Sequence, residues 1–374
     1  MQPAFENGAG CTVLFSPDNK GDDGMKRRLL CLLLTAALAV GMTGCGGGQR
    51  HSVTYTDAFD TVTTFTAYGI PQAEFAAGAA RLHEKLLEYH RLYDIYTNYD
   101  GVANLKTLND CAGGDPVALS APVLELLEYG LQAYEETDGR VNILFGAVLE
   151  LWHACRQQAQ LQPETAALPE PTALRAAAAH TDPACLMIDR AAGTARLTDA
   201  KARVDVGAVA KGYAVERLAG FARQELGWRW VLLNVGGNIR AVGGKGAESR
   251  PFTIGLQNPD TDSAKAYVAT VSLPEGAVVT SGDYQRYYTV NGQRYAHIID
   301  VDTLYPAARM RAVSVVCADS ARADVLSTAL FTLSVEAGQR WVEQLPEVEA
   351  LWVQTDGSLA YSAGFGAYLT EEIG

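Results

Sequence analysis

Four segments of this 374-residue chain hold polar or small residues where a packed core would hold bulk. The most chemical of them is Ala323-Asp324-Val325-Leu326-Ser327-Thr328-Ala329-Leu330. On a helix, Asp324 and Thr328 are four apart and share one face. A carboxylate beside a hydroxyl offers hard oxygen ligands. They suit Mg²⁺, which keeps several waters and takes phosphate oxygens as well. The plainer alternative is an Asp capping its helix and a Thr bonding back to its own turn.

The second segment is Val204-Asp205-Val206-Gly207-Ala208-Val209-Ala210-Lys211-Gly212-Tyr213. A carboxylate and two glycines precede or open a helix. Free N–H groups there favour an anion, and glycine permits its close approach. Asp205 reads equally well as a simple cap. The third is Leu233-Asn234-Val235-Gly236-Gly237-Asn238-Ile239-Arg240. Taken alone, its glycine pair is a plain hairpin turn. It is no dinucleotide fingerprint, because no GxGxxG opens a helix. The fourth joins Thr280-Ser281-Gly282-Asp283-Tyr284-Gln285-Arg286-Tyr287 to Ala296-His297-Ile298-Ile299-Asp300-Val301-Asp302-Thr303-Leu304-Tyr305-Pro306. His297 is one of only six histidines. A structural histidine is the commoner case, but acidic neighbours would tune this one near neutrality.

The elements that must position these residues follow from periodicity and punctuation. Two short strands are expected within 50–69 and helices over 72–96 and 120–136, the latter with Ser120 at its N-cap and Pro122 in its first turn. Residues 99–109 read as a loop, 143–158 as helical, and 162–183 as a surface excursion with a short helix. A hairpin is expected around Ala192-Gly193 and a helix over 207–226. Strands follow at 230–235, 239–243, 252–256, 267–273, 277–280 and 284–290, then a strand at 312–317. Helices at 320–333 and 335–344 and strands at 349–354 and 358–361 close the chain. This order predicts a mixed α/β (α+β) fold with largely antiparallel sheets and packed helices, not repeated βαβ winding.

With 48% hydrophobic and 20% charged residues, the chain can bury a large core. Its net charge of −13 argues against a nucleic-acid partner, since phosphate binding needs clustered Lys and Arg. Seven cysteines occur with no CxxC spacing, so neither a zinc site nor a disulfide framework is indicated. Residues 25–45 form a targeting segment: a basic Met25-Lys26-Arg27-Arg28, an apolar Leu29 to Val40, then Met42-Thr43-Gly44-Cys45. The last four resemble the lipobox of bacterial lipoproteins, which implies cleavage before Cys45 and lipidation of its sulfur. Residues 1–44 are therefore read as upstream segment and signal peptide, 45–52 as a flexible linker, and 53–365 as the folded domain.

Together and in this order, the motifs resemble the ApbE family of FAD:protein FMN transferases. That family shows D-x-G-x-x-A-K-G-Y, N-x-G-G-x-I-R, T-S-G-D-Y-x-R-Y, H-I-I-D-x-x-T-x-Y-P and D-A-L-S-T-A-L. Upstream, Phe59-Asp60-Thr61, Thr97-Asn98-Tyr99-Asp100 and Thr137-Asp138-Gly139-Arg140-Val141-Asn142 are similar to its M-G-T, S-T-Y-D and S-G-G-A-F-D. The resemblance covers about residues 53–365 and implies transfer of the FMN half of FAD to a Thr or Ser hydroxyl of an acceptor flavoprotein, with AMP leaving. It implies a magnesium ion held by Asp324, Thr328 and the Ala208 carbonyl. It places flavin contacts at Phe59, Tyr99, Val141, Asn142, Asp205 and Lys211, with Ile298 or Ile299 lining the pocket. His297 is the expected proton-transfer group and Asp283 the runner-up, while Lys211 would stabilise phosphate charge. The chain departs from the pattern at Leu304, at Arg140-Val141-Asn142-Ile143 and at Phe59-Asp60, all toward the flavin ring. Family acceptors include redox-pump subunits, which fits an exported enzyme lipid-anchored on the outer face of the bacterial cytoplasmic membrane. A magnesium-dependent FAD pyrophosphatase and a non-catalytic FAD-binding lipoprotein remain the alternatives.

Overall fold

The computed structural model describes residues 49–372; the targeting segment and Cys45 lie outside them. Eight helices and sixteen strands occur among the described residues. The helices are α1 (Gln72–Leu92), α2 (Leu105–Asp110), α3 (Ala121–Glu136), α4 (Gly146–Leu161), α5 (Pro171–Ala178), α6 (Ala210–Gln224), α7 (Ser320–Phe331) and α8 (Val335–Val342). The strands are β1 (Arg50–Ala58), β2 (Thr61–Tyr68), β3 (Val117–Ala118), β4 (Leu186–Asp189), β5 (Thr194–Leu197), β6 (Val231–Val235), β7 (Asn238–Val242) and β8 (Phe252–Gln257). They continue with β9 (Tyr267–Leu273), β10 (Gly276–Gly282), β11 (Tyr287–Val290), β12 (Gln293–Ala296), β13 (Met310–Cys317), β14 (Glu349–Gln354), β15 (Leu359–Tyr361) and β16 (Leu369–Glu372).

One eight-stranded sheet organises the molecule, in the order β1-β2-β6-β7-β10-β13-β14-β15. Every neighbouring pair in it is antiparallel. The mixed α/β expectation with antiparallel sheets therefore holds. On one face α1 and α6 pack against β1, β2, β6 and β7, building a core that includes Phe65, Leu82, Leu86, Val215, Leu218 and Leu233. Farther along, α7 and α8 cover β10, β13 and β14 around Leu326, Leu330, Phe331 and Trp352. A three-stranded sheet, β16-β9-β8, covers the other face of the central strands.

Two hairpins set one end of the sheet. Ala58 pairs with Thr61, so Phe59 and Asp60 form a two-residue turn with φ 53° and 52°. Val235 pairs with Asn238 across Gly236 and Gly237, at φ 57° and 88°. Two positive φ angles match the right-handed twist of the flanking strands. The glycine pair is thus a hairpin turn, and it is tight: a Cβ at Gly236 would come within 2.3 Å of the Thr61 hydroxyl.

Several expectations need correction. Residues 105–110 form α2, where Asn104 and Thr107 make a reciprocal capping box. A second strand, β12, pairs with β11 across Asn291-Gly292. Among the described residues the first strand starts at Arg50 and the last, β16, lies past residue 365. Ser120 does stand at the N-cap of α3, but its hydroxyl makes no capping bond.

Candidate active site

Helix α7 is buried on nearly every side, and Ser320, Asp324 and Ser327 are among its buried residues. Polar groups in that position must find partners. Asp324 is 3% exposed. One of its oxygens accepts the Gly212 N–H at 2.8 Å, and the other lies 3.9 Å from the Lys211 ammonium. This contact requires glycine at 212, because a Cβ there would lie 2.4 Å from both the Asp324 Cβ and the Ser320 carbonyl oxygen. Lys211 also donates to the Asn238 side-chain oxygen at 3.3 Å. The Asn238 Nδ2 is buried with no partner among the described residues. Thr328 is 3.3 Å from the Ser281 hydroxyl, which is 2.8 Å from that of Ser327. The motif residues of α6, α7, β7 and β10 therefore converge.

The plainer readings of these residues do not survive. The N-cap of α7 is Asp319, whose side chain accepts from Arg322 N. The back-bonding residue is Ser327, to the Asp324 carbonyl at 3.0 Å. Helix α6 has Val209 at its N-cap and no side-chain cap, while Asp205 closes a turn ahead of it onto Gly207 N at 2.8 Å. Asp324 is left as a buried carboxylate with one N–H and a distant ammonium, which under-compensates its charge. A hard cation fits that deficit. Among the described residues no cluster of three or more His, Cys, Asp or Glu could hold a metal. An ion here would draw most of its shell from hydroxyl, carbonyl, water and phosphate oxygens, the preference of Mg²⁺. Ala208 lies half-buried in the turn that leads into α6.

His297 follows β12. Its Nδ1–H donates to the Arg286 carbonyl at 3.1 Å, and its backbone N–H reaches the same oxygen at 3.1 Å. That tautomer leaves Nε2 as an acceptor. Burial, then the guanidiniums of Arg286 and Arg156 and the Lys211 ammonium, push its pKa from 6.5 to about 3. The expected acidic surroundings are thus replaced by cationic ones. The nearby acids are engaged elsewhere: Asp283 with Arg311 Nε at 2.9 Å, Asp300 with the Asp302 N–H at 2.9 Å, and Asp302 with Arg140 at 3.5 Å. Asp283 keeps one buried oxygen without a partner among the described residues, and burial raises its pKa.

Arg286 ties this histidine to the β1–β2 turn by donating to the Phe59 carbonyl at 3.3 Å. Phe59 also donates its N–H to His90 Nδ1 at 3.3 Å and meets that ring edge-on. A narrow cleft beside His297 is lined by Trp152, His153, Arg156, Tyr288 and Tyr295. His153 lies 3.9 Å from Asp205 and 3.1 Å from the hydroxyl of Tyr96, which is 63% exposed. Sequence reading missed Tyr96, His153, Arg156 and Arg286 as site residues. Arg286 lay inside a quoted motif; the others carried no local signal.

The remaining expected flavin contacts separate. Tyr99 donates to Asp94 at 2.7 Å, and burial followed by Asp94 pushes its hydroxyl up to about 12. The Val141 side chain is 2% exposed in the main core. Asn142 spends its amide on the Thr181 carbonyl and the Leu144 N–H. Ile298 and Ile299, each 7% exposed, point into different core clusters. The structure thus brings Lys211, Asp324, Thr328 and His297 toward one cleft, but packs Val141 and Asn142 into their own surroundings.

The antiparallel α/β fold that carries this buried carboxylate is shared with solved proteins. The crystal structure of the ApbE protein from Thermotoga maritima superposes with a TM-score of 0.74 at 26% identity, over 86% of this chain and all of that one. The Vibrio cholerae flavin transferase ApbE shares the fold, with a TM-score of 0.71 at 23% identity. The ApbE family model matches residues 59–352, and the chain belongs to that family. A Treponema pallidum FAD:protein FMN transferase is 30% identical over 355 residues, 90% of this chain and 92% of that protein. One from Klebsiella pneumoniae is 29% identical over 286 residues, 76% of this chain and 84% of that protein.

Proposed function

We propose that this ApbE-family flavin transferase cleaves FAD and joins its FMN half to a Thr or Ser hydroxyl of an acceptor protein. A bond forms between the acceptor oxygen and the FMN phosphorus. The bond from that phosphorus to the bridging oxygen breaks, and AMP leaves with the bridging oxygen. The observation that carries this reading is the buried, under-compensated Asp324 between Gly212 N and Lys211, with Thr328 one helical turn on.

Asp324, Thr328 and the Ala208 carbonyl would hold Mg²⁺, whose charge screens the pyrophosphate and the charge that develops on it. Lys211 adds a fixed positive charge from the same side. His297 presents Nε2 as the proton acceptor for the attacking hydroxyl. Burial, and then its cationic neighbours, keep it neutral in the free protein; a bound pyrophosphate would offset the field of those neighbours and raise its basicity. Arg286 and Arg156 supply further positive charge around the cleft. Tyr96, Phe59 and the Trp152 cluster offer aromatic faces for the flavin.

Export and lipidation at Cys45, with the enzyme on the outer face of the membrane, complete the proposal. Among the described residues no helix is long and apolar enough to cross a membrane. The test incubates the protein with FAD, Mg²⁺ and an acceptor bearing an exposed Thr. Flavin fluorescence on the acceptor after denaturing electrophoresis supports transfer. FMN and AMP without labelling replace it with the pyrophosphatase reading. Retained FAD with no turnover leaves only a flavin-binding lipoprotein.

A further inference from the structure

The pole of the sheet opposite the cleft carries a second built feature. At that pole Arg50 pairs with Tyr68, Gln49 accepts from Gly69 N at 2.9 Å, and Tyr68 donates to the Trp230 carbonyl at 3.0 Å. Cys45 lies four residues before Gln49 in the sequence. Four residues reach at most about 14 Å. A lipid on Cys45 would therefore hold this pole close to the membrane surface.

What stands there is cationic and aromatic, in a chain whose net charge is −13. A pocket of about 480 Å³ is lined by Arg223, Arg229, Trp230, Ser249 and Glu275. Its rim is the ordered loop 243–250, closed by Lys245 N to the Arg250 carbonyl at 2.6 Å and Ser249 N to the Gly246 carbonyl at 2.9 Å. Glu275 and Glu248 are matched by Arg223 and Arg250. Arg50, Arg229 and Lys245 have no ion-pair partner among the described residues, and the Lys245 ammonium sits 5.9 Å above the Phe252 ring. The exposed acids Glu74 and Glu225 sit on the flanking helix ends, and Asp319, Glu347 and Glu349 lie farther along the same pole at the end of β13 and the start of β14, so the unpaired cations are confined to the β1 and β6 starts and the loop. Arg, Lys and a half-buried Trp are the residue types that settle at a phospholipid headgroup layer.

We propose that this pole is a docking face for an anionic phospholipid surface, with Arg50, Arg229, Lys245 and Trp230 resting on it. The proposal builds on the lipid anchor at Cys45. Strand β1 runs its whole length from this face to the Phe59-Asp60 turn at the cleft, about 25 Å at the usual strand rise. Docking would therefore hold the cleft that far off the membrane and facing away from it. An acceptor hydroxyl would have to be presented at that height.

The experiment uses the full lipidated chain on vesicles of phosphatidylcholine alone or with phosphatidylglycerol. Amide hydrogen exchange is followed over residues 229–230 and 243–250 and over the cleft turn 234–238. Phosphatidylglycerol should slow exchange at the first two stretches by about fivefold and leave the turn unchanged. In a chain carrying Arg50→Gln, Arg229→Gln and Lys245→Gln, the slowing should vanish while transfer to a soluble acceptor persists. Equal exchange on both vesicles, or protection of 234–238 instead, overturns the proposal. So does protection of 243–250 by acceptor protein without vesicles, which would make the face a protein site. Flotation on phosphatidylcholine tests the anchor separately: the full chain should float and Cys45→Ser should not. If neither floats, the anchor reading falls, and the docking face is then judged by salt-sensitive binding of the Cys45→Ser chain to phosphatidylglycerol vesicles.

Discussion

The two ends of the cleft are built by opposite means. At the Asp324 end, helix starts meet at backbone distance, the carboxylate is 3% exposed, and glycine at 212 makes the approach possible. At the aromatic end, Phe59, Asp60 and Leu304 hold φ of 53°, 52° and 63°, a region where side chains carry strain. Rings and cations there come from several elements, Phe59 from a hairpin turn, Trp152, His153 and Arg156 from α4, and Tyr288 and Tyr295 from β11 and β12, and Tyr96 is 63% exposed. Two of the three departures from the family pattern, at Phe59-Asp60 and at Leu304, fall at this second end; the third, at residues 140–143, runs into the main core. The contrast teaches that a backbone-distance approach in a dry interior leaves room for one residue type at 212 and a buried charge at 324, whereas the exposed turns of the aromatic end set a backbone shape that more than one side chain can carry.

The largest test strikes the first end. Asp324→Asn keeps the shape and an acceptor for Gly212 N but removes the charge. Magnesium-dependent turnover should fall by at least about a hundredfold, while thermal stability holds or rises because a buried charge is gone. Steady-state kinetics with a melting curve checks both, and undiminished turnover would break the distinction between the ends. Gly212→Ala should follow, costing roughly 1–3 kcal/mol in urea unfolding, because a Cβ meets the Asp324 Cβ and the Ser320 carbonyl at 2.4 Å. An unchanged midpoint would mean the helix starts can part freely.

His297 joins the two ends and gives a sign that can be checked. Its pKa is depressed from 6.5 to about 3, so the fold keeps it neutral while the unfolded chain takes a proton below 6.5. Its contribution to stability is therefore complete above about pH 6.5 and is lost as pH falls toward 3. Arg286→Gln removes the strongest of its cationic neighbours and should raise the imidazole pKa, shrinking that acid-side loss. The same change should move the acid limb of kcat/KM upward. Imidazole NMR titration of the two proteins decides it; a pKa that stays put would detach Arg286 from the histidine.

Much of the Asp324 end was legible because its motifs are local: Asp324 and Thr328 lie one turn apart, and Lys211-Gly212 are adjacent. The aromatic end was not, because Tyr96, His153 and Arg156 reach the cleft through tertiary packing and nothing in α4 or in the loop after α1 marks them. The charge around His297 was misread for the same reason. Its neighbours in sequence are acids, but each acid is drawn off to Arg311, Arg140 or a backbone N–H. Helix α2 escaped notice because six residues are too few for periodicity, although Asn104 and Thr107 do form its cap. The β11–β12 hairpin had its Asn291-Gly292 signal, muted by exposed polar strand residues in β12.

The smallest effects probe the strained turns. Asp60 is exposed at φ 52°, so Asp60→Gly relieves the left-handed strain and removes little packing. It should stabilise the fold by about 0.5–1 kcal/mol, after the entropy that glycine adds to the unfolded chain. Leu304→Gly relieves φ 63° as well, but it strips a half-buried side chain from the cluster around Trp152. The two effects oppose, and the net change should stay within about 1 kcal/mol. Trp152 still has the Leu304 carbonyl to bond, at 3.0 Å, because that contact belongs to the backbone. Turnover by Leu304→Gly should therefore stay near that of the parent, with any change confined to KM for FAD. A collapse of kcat there, as deep as that of Asp324→Asn, would show that the side chain at 304 is as fixed by the chemistry as the carboxylate.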